Sequence, residues 1–178
     1  MASKVLSASL CGIDAFPVEV EVDILPGIPS FSTVGLPDTA VKESKERVRS
    51  ALRSCGFDLP ARKITINLAP ADRKKEGSSF DLPIAIGILS FHKIFPSEKL
   101  KNFLITGELS LDGRVRGIKG GLAMTFLAKE LGLKGIILPK ENLKEAGLVK
   151  DISIYGVETL GDLVNFLRGE IEIKPYEP

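Results

Sequence analysis

The densest run of chemistry-bearing side chains is 73-RKKEGSS-79, set directly before the almost wholly apolar 80-FDLPIAIGILSF-91. Three cations, a glutamate, a glycine and two serines in front of a helix start admit four readings: a phosphate cradle, a serine nucleophile, a nucleic-acid contact or a helix cap. A phosphate-binding loop of the G-x-x-x-x-G-K-[ST] kind needs backbone N–H groups, a lysine and a hydroxyl in fixed order. The chain contains no Gly-Lys-Ser or Gly-Lys-Thr, and Gly120-Gly121 lacks the lysine and hydroxyl that would have to follow. Metal chemistry has little to work with, because His92 is the only histidine and no Cys, Asp or Glu cluster has ligand spacing. Ser78 or Ser79 stands where backbone N–H groups and a helix dipole can hold an oxyanion. A serine hydroxyl is inert without a base, and here only a lysine could serve. The competing reading makes Ser78 or Ser79 the N-cap, with Asp81 favourably placed in the first turn. Arg62, Lys63, Arg73, Lys74 and Lys75 flank one strand and form a candidate phosphate-contacting set for nucleic acid. No aromatic residue interleaves with them to stack bases.

These residues are positioned by a chain that alternates between two periodicities. Residues 3–11 read as a strand. Residues 17–25 alternate Val18, Val20, Val22 and Ile24 with Glu19, Glu21 and Asp23, which predicts an antiparallel strand with one wet face. A third strand covers 31–35. Pro37 and Asp38 open a helix that carries Val41, Val48, Ala51, Leu52 and Cys55 at helical spacing, and Gly56 stops it. Ile64, Ile66 and Leu68 give a fourth strand, and the apolar helix is expected from about Ser79 to Phe91 with Pro83 in its first turn. Then follow a strand at 103–107, a hairpin over 108–118 with a type I′ turn at Asp112-Gly113, and a helix from Gly120-Gly121 to about Leu131. A strand at 135–139, a short helix at 141–149, a strand at 152–156 and a helix at 160–167 complete the order. This predicts one α/β domain with a mixed sheet, antiparallel strands first, βα crossovers later and most helices on one face.

Composition sets the remaining bounds. The 178 residues suit one domain, and 44% hydrophobic with 26% charged residues exclude a disordered chain. Net charge is +1, yet residues 42–75 hold ten Lys/Arg against four Asp/Glu, an excess of six that leaves the rest of the chain at −5. Cys11 and Cys55 form no C-x-x-C pair and sit in apolar contexts, so buried free thiols in a reducing cytoplasm are expected. The longest apolar run, Leu82 to Leu89, falls well short of the roughly 20 residues that span a bilayer. No membrane partner is expected. The tail 170-EIEIKPYEP-178 reads as the start of a linker.

Three stretches carry a family resemblance: 34-VGLPDTAVKESKERVRSAL-52, 64-ITINLAPADRKKEGSSFDLPIAIGIL-89 and 107-GELSLDGRVRGIKGG-121. Together they resemble the amino-terminal domain of the YifB/ComM family of magnesium-chelatase-like AAA+ ATPases. The resemblance implies a Lon-protease-like domain over 1–169, with the ribosomal S-five domain-two-like fold, and a linker from 170 toward an ATPase domain. It implies a hexameric ring, DNA as a partner in helicase or branch-migration work during competence, and ATP with magnesium held only by the ATPase part. No cofactor or metal is expected in this domain. In Lon-type peptidases a K-D-G-P-S-A-G loop carries the serine, and the lysine base lies on the helix after Gly-Gly-Leu. Here Ser79 takes the serine's place, while Met124 or Thr125 falls where the base would be. Lys119 precedes the glycines, and Lys129 lies eight residues past Gly121, more than two helical turns on. Phe80 and Asp81 replace small residues. The expectation is a vestigial Ser79 in a non-catalytic domain; the alternatives are a Ser-Lys peptidase using Ser79 with Lys119 or Lys75, and a pure oligomerisation module.

Overall fold

A seven-stranded mixed sheet runs in the order β3-β4-β2-β1-β5-β8-β9, beside a separate two-stranded ribbon of β6 and β7, in the computed structural model, which describes residues 2–178. The strands are β1 (Ser3–Cys11), β2 (Asp14–Leu25), β3 (Ser30–Val34), β4 (Lys63–Ala69), β5 (Phe103–Ile105), β6 (Glu108–Leu109), β7 (Val115–Arg116), β8 (Gly135–Pro139) and β9 (Ser153–Val157). The helices are α1 (Thr39–Lys42), α2 (Ser44–Ser54), α3 (Asp81–Phe91), α4 (Gly121–Glu130), α5 (Leu143–Ala146) and α6 (Leu160–Leu167). β2 is antiparallel to both β1 and β4, while β3–β4, β1–β5, β5–β8 and β8–β9 are parallel. Six strands of the large sheet therefore point one way and β2 alone opposes them. Their carboxyl ends share one edge, where loops from distant parts of the chain can meet.

The alternation in β2 works as expected: Val18, Val20, Val22 and Ile24 are buried, and Glu19, Glu21 and Asp23 lie on the opposite, half-exposed face. The buried face joins Ile64, Ile66 and Leu68 of β4 in one core with α1, α2, α3 and α6. The other face of the sheet is covered over β1, β5, β8 and β9 by α4 and α5, through Ala8, Leu104, Ile136, Leu138 and Met124. α3 runs through the first core with every residue from Asp81 to Ser90 buried. Each of its large aliphatic side chains contributes about 1.5–3 kcal/mol of burial.

Several local expectations are corrected. The helix opened by Asp38 breaks at Glu43 into α1 and α2. Its end is as read: the N–H of Phe57 donates to Leu52 O at 3.0 Å and that of Gly56 to Arg53 O at 3.0 Å, with Gly56 at φ +85, a Schellman arrangement. The turn at Asp112-Gly113 is not type I′, because only Gly113 has positive φ (+91). Ser110 and Arg114 close a three-residue loop, and Asp112 Oδ1 accepts from Ser110 Oγ at 2.5 Å and from the N–H of Arg114 at 3.1 Å. Cys11 is exposed rather than buried, because it ends β1 beside the tight Gly12-Ile13 turn, and Cys55 is half-buried. Outside these corrections, the tail 170–178 forms no helix or strand; the N–H of Tyr176 donates to Ile154 O at 2.7 Å and Ile173 packs on the first core. No helix among the described residues is long and apolar enough to cross a membrane.

Close approach of α3 to the sheet depends on Gly87, where an added Cβ would lie 2.6 Å from Val22 Cγ2. Helix propensity alone favours alanine there by about 1 kcal/mol, but overpacking costs about 1–3 kcal/mol. Gly87→Ala is expected to lower stability to urea by up to about 2 kcal/mol, and to raise it in a Val22→Ala background. Stabilisation by Gly87→Ala in the natural background would contradict this packing.

Candidate functional site

The three recognisable stretches, far apart in sequence, converge at the carboxyl edge of the sheet around residues 75–81. Gly35 makes the first approach possible: it sits at φ +104, and a Cβ there would lie 2.1 Å from Leu68 O. Beyond it, the N–H of Lys75 donates to Leu36 O at 3.0 Å, and that of Asp38 donates to Lys75 O at 2.9 Å. Asp38 works twice, as N-cap of α1 through Val41 N at 2.8 Å and as acceptor from Gly77 N at 3.0 Å. The third stretch closes the knot. The N–H of Gly107 donates to Ser79 O at 3.0 Å, Ser78 Oγ donates to Glu108 Oε1, and the N–H of Leu109 donates to Asp81 Oδ2 at 3.1 Å.

Neither serine caps α3, contrary to expectation. The position before the helix is Phe80, in helical backbone geometry. The donors at the helix start are already used: Asp81 N reaches Ser78 O at 3.2 Å, Leu82 N reaches Gly107 O at 3.0 Å, Pro83 has no N–H, and Ile84 N reaches Phe80 O at 2.9 Å. With these donors already used by backbone carbonyls, nothing calls for a serine hydroxyl as the cap.

Lys75 was expected among the outward cations and is instead fully buried. Its ammonium donates to Gly35 O at 2.7 Å and to Pro70 O, which ties the loop to the end of β3. Burial pushes its pKa down from the ordinary lysine value, with Asp72 opposing and Arg73 adding to the fall. Arg73 lies on the surface with its guanidinium 3.6 Å from the centre of the Phe16 ring. Lys74 is exposed, 3.8 Å from Glu76. Arg62 and Lys63 are exposed at the other end of β4, about 20 Å away along a seven-residue strand. The five candidate cations thus divide into an amino-edge pair, a carboxyl-edge pair and one interior lysine.

Ser79 is buried, and no lysine is hydrogen-bonded to its Oγ among the described residues. Lys119 and Lys129 are exposed. Thr125 Oγ1 donates back to Gly121 O at 2.7 Å, and Met124 packs in the second core. The Gly120-Gly121 turn is held by a residue that sequence reasoning missed. Asn142 accepts from Ile118 N at 3.0 Å and donates to Ile118 O at 2.8 Å, so a side-chain amide pairs with one backbone residue on both sides.

Sequence reasoning also missed the buried ion pair. Arg47 Nε donates to Asp81 Oδ2 at 2.6 Å and its Nη2 donates to Asp81 Oδ1 at 3.1 Å and to Ala40 O at 2.8 Å. One guanidinium thereby joins α1, α2 and α3, and through Asp81 the β6 strand. Burial pushes the Asp81 carboxyl up to about 6, against the pull of the Arg47 hydrogen bond, the Leu109 N–H and the Arg47 charge. The bond to Asp81 raises Arg47 above its usual value despite its own partial burial.

The chain is similar to several known proteins. The profile of the family described as Subunit ChlI of Mg-chelatase matches residues 20–142, more than half of the chain. The competence protein ComM of Haemophilus influenzae is 45% identical over 166 residues, 93% of this chain and 32% of that protein. The uncharacterized protein YifB of Escherichia coli is 41% identical over 176 residues, 99% of this chain and 35% of that protein. Weaker likeness reaches the Lon protease of Halothermothrix orenii, 26% identical over 165 residues (85% and 21%), and the DNA repair protein RadA of Listeria monocytogenes, 27% over 148 residues (82% and 32%). The chain spans about a third of the length of ComM and YifB.

The Asp81 carboxyl sets a pH dependence with a definite sign. Its folded pKa, about 6, lies above the ordinary 3.8. Between these values the folded protein keeps a proton that the unfolded chain has released, so stability falls as pH rises through the window and levels off above it. The part removed by Asp81→Asn is expected to be on the order of 2–3 kcal/mol, read as the difference between natural and variant protein in urea unfolding from pH 4 to 7. A difference of opposite slope would mean that the ion pair outweighs burial.

Proposed function

Because the chain belongs to the family of subunit ChlI of Mg-chelatase, with ComM and YifB among its relatives, we propose that it is a non-catalytic domain of a ring-forming, magnesium-chelatase-like ATPase that works on DNA in the cytoplasm. In this reading the domain helps assemble a hexameric ring and engages DNA, while ATP and magnesium are handled by the ATPase part. The observation that carries the non-catalytic half is the use of Lys75: the one lysine of the serine loop that lies inside the fold donates its ammonium to two backbone carbonyls. A general base must reach the proton it takes, within about 3 Å, and this amine is committed elsewhere. The DNA half draws on the exposed Arg62, Lys63, Arg73 and Lys74, and on the names of ComM and RadA, a competence protein and a DNA repair protein.

The likeness to Lon favours a second reading, a Ser-Lys peptidase at Ser79. The backbone commitments of Lys75 and the exposure of Lys119 and Lys129 weigh against it.

Neutralising Arg62, Lys63, Arg73 and Lys74 together to glutamine is expected to weaken DNA binding about tenfold or more at low salt, and to flatten the slope of log affinity against log salt by about 3. Fluorescence anisotropy with a labelled oligonucleotide reads both quantities. A chain with no salt-sensitive DNA affinity, or a variant that binds as well as the natural protein, removes the DNA role. Casein cleavage that disappears in Ser79→Ala would establish the peptidase reading instead.

A further inference from the structure

At the amino edge of the sheet, opposite the serine loop, a groove of about 420 Å³ opens between α2, the start of β3 and the segment that leads into β4. Lys45, Arg49 and Arg53 of α2 line it together with Arg62, and Asp58 is the one acid among its lining residues. The three helix cations stand at i, i+4 and i+8. They therefore share one face of α2, each about 6 Å along the axis from the next. Their pairing with acids is sparse and exposed: Arg53 lies 3.6 Å from Asp58 and Arg49 lies 3.8 Å from Glu46. Lys45 and Arg62 have no acid within 4.0 Å among the described residues. Phe31, Leu59 and Ile64 give the groove an apolar lining.

Like charges four residues apart on a helix repel and weaken it. A row of three, with a fourth cation brought alongside by a loop, is an arrangement that a bound anion would relieve. A periodic row suits a periodic polyanion better than a single phosphate, and an apolar lining beside the cations suits the sugars or bases that accompany phosphodiesters. We propose that this groove binds the backbone of a nucleic-acid strand, with Lys45, Arg49 and Arg62 as its principal phosphate contacts. The inference rests on the reading of the chain as a DNA-engaging domain, but assigns the contact to α2, which that reading does not require. It also ranks the two ends of β4: the amino edge adds a row of α2 cations to Arg62, while at the carboxyl edge Arg73 is partly occupied by the Phe16 ring.

The test uses the chain and a labelled oligothymidylate of about 20 nucleotides, long enough to fill a single-strand site. Lys45→Gln with Arg49→Gln is expected to weaken binding about fivefold or more at low salt and to lower the salt slope by about 1, as two lost phosphate contacts should. Arg62→Gln alone should act in the same direction, and Arg73→Gln with Lys74→Gln should lose less than the α2 pair. Thermal unfolding of each variant checks that the surface changes leave the fold intact. If natural protein binds the oligonucleotide and the α2 pair and Arg62→Gln bind it equally well, the groove is not the site, although the broader DNA reading stands. A larger loss from the Arg73 and Lys74 variant also overturns it. Failure of the natural protein to bind overturns both readings.

Discussion

A carboxylate with no exposure to solvent organises the middle of this domain. Asp81 sits in the first turn of a helix whose next nine residues are buried. A lone charge there would be intolerable, and removing one partner of such a pair typically costs about 3–5 kcal/mol. The pair is tolerated because Arg47 meets both carboxylate oxygens and the N–H of Leu109 supplies a third bond. Those bonds fix where α2 and the β6–β7 ribbon sit relative to α3. Around them the backbone of 75–79 is stitched to 35–38 on one side and 106–108 on the other. The serine loop is thus tied to its neighbours on both sides.

Much of the fold was legible because it rests on periodicity. Alternation in β2 and β4 gave the sheet's buried face, and Gly56 marked the helix end by the positive φ a Schellman turn demands. What was not legible rests on partners distant in sequence. Arg47 and Asp81 are 34 residues apart, and no local pattern pairs them. Lys75 reads as one more cation in a basic run, and only the carbonyls of Gly35 and Pro70 show that it turns inward. Ser78 and Ser79 carry a good local capping signal, but Gly107 and Phe80 supply the acceptors first. The hairpin was read in the right place with the wrong turn, since a Ser110 and Arg114 closure with Gly113 alone at positive φ leaves Asp112 in ordinary backbone.

The basic segment shows how sequence charge misleads about surface charge. Residues 42–75 carry an excess of six positive charges, yet Arg47 and Lys75 spend theirs inside the fold and Arg73 lies over an aromatic ring. What remains outside is divided among α1, α2 and the two ends of β4. A map of partner contacts must therefore begin from side-chain placement, because the linear run mixes bracing cations with those free to meet a polyanion.

Whether Lys75 braces the loop can be asked of the amine itself. Brief labelling of the native chain with an amine-reactive reagent, read lysine by lysine by mass spectrometry, compares Lys75 with its neighbour Lys74. Lys74 is expected to react readily while Lys75 stays protected until the protein is unfolded in urea. Labelling of Lys75 at a rate comparable with Lys74 in the native state would contradict it, and would return the serine loop to candidacy as a site with an available base.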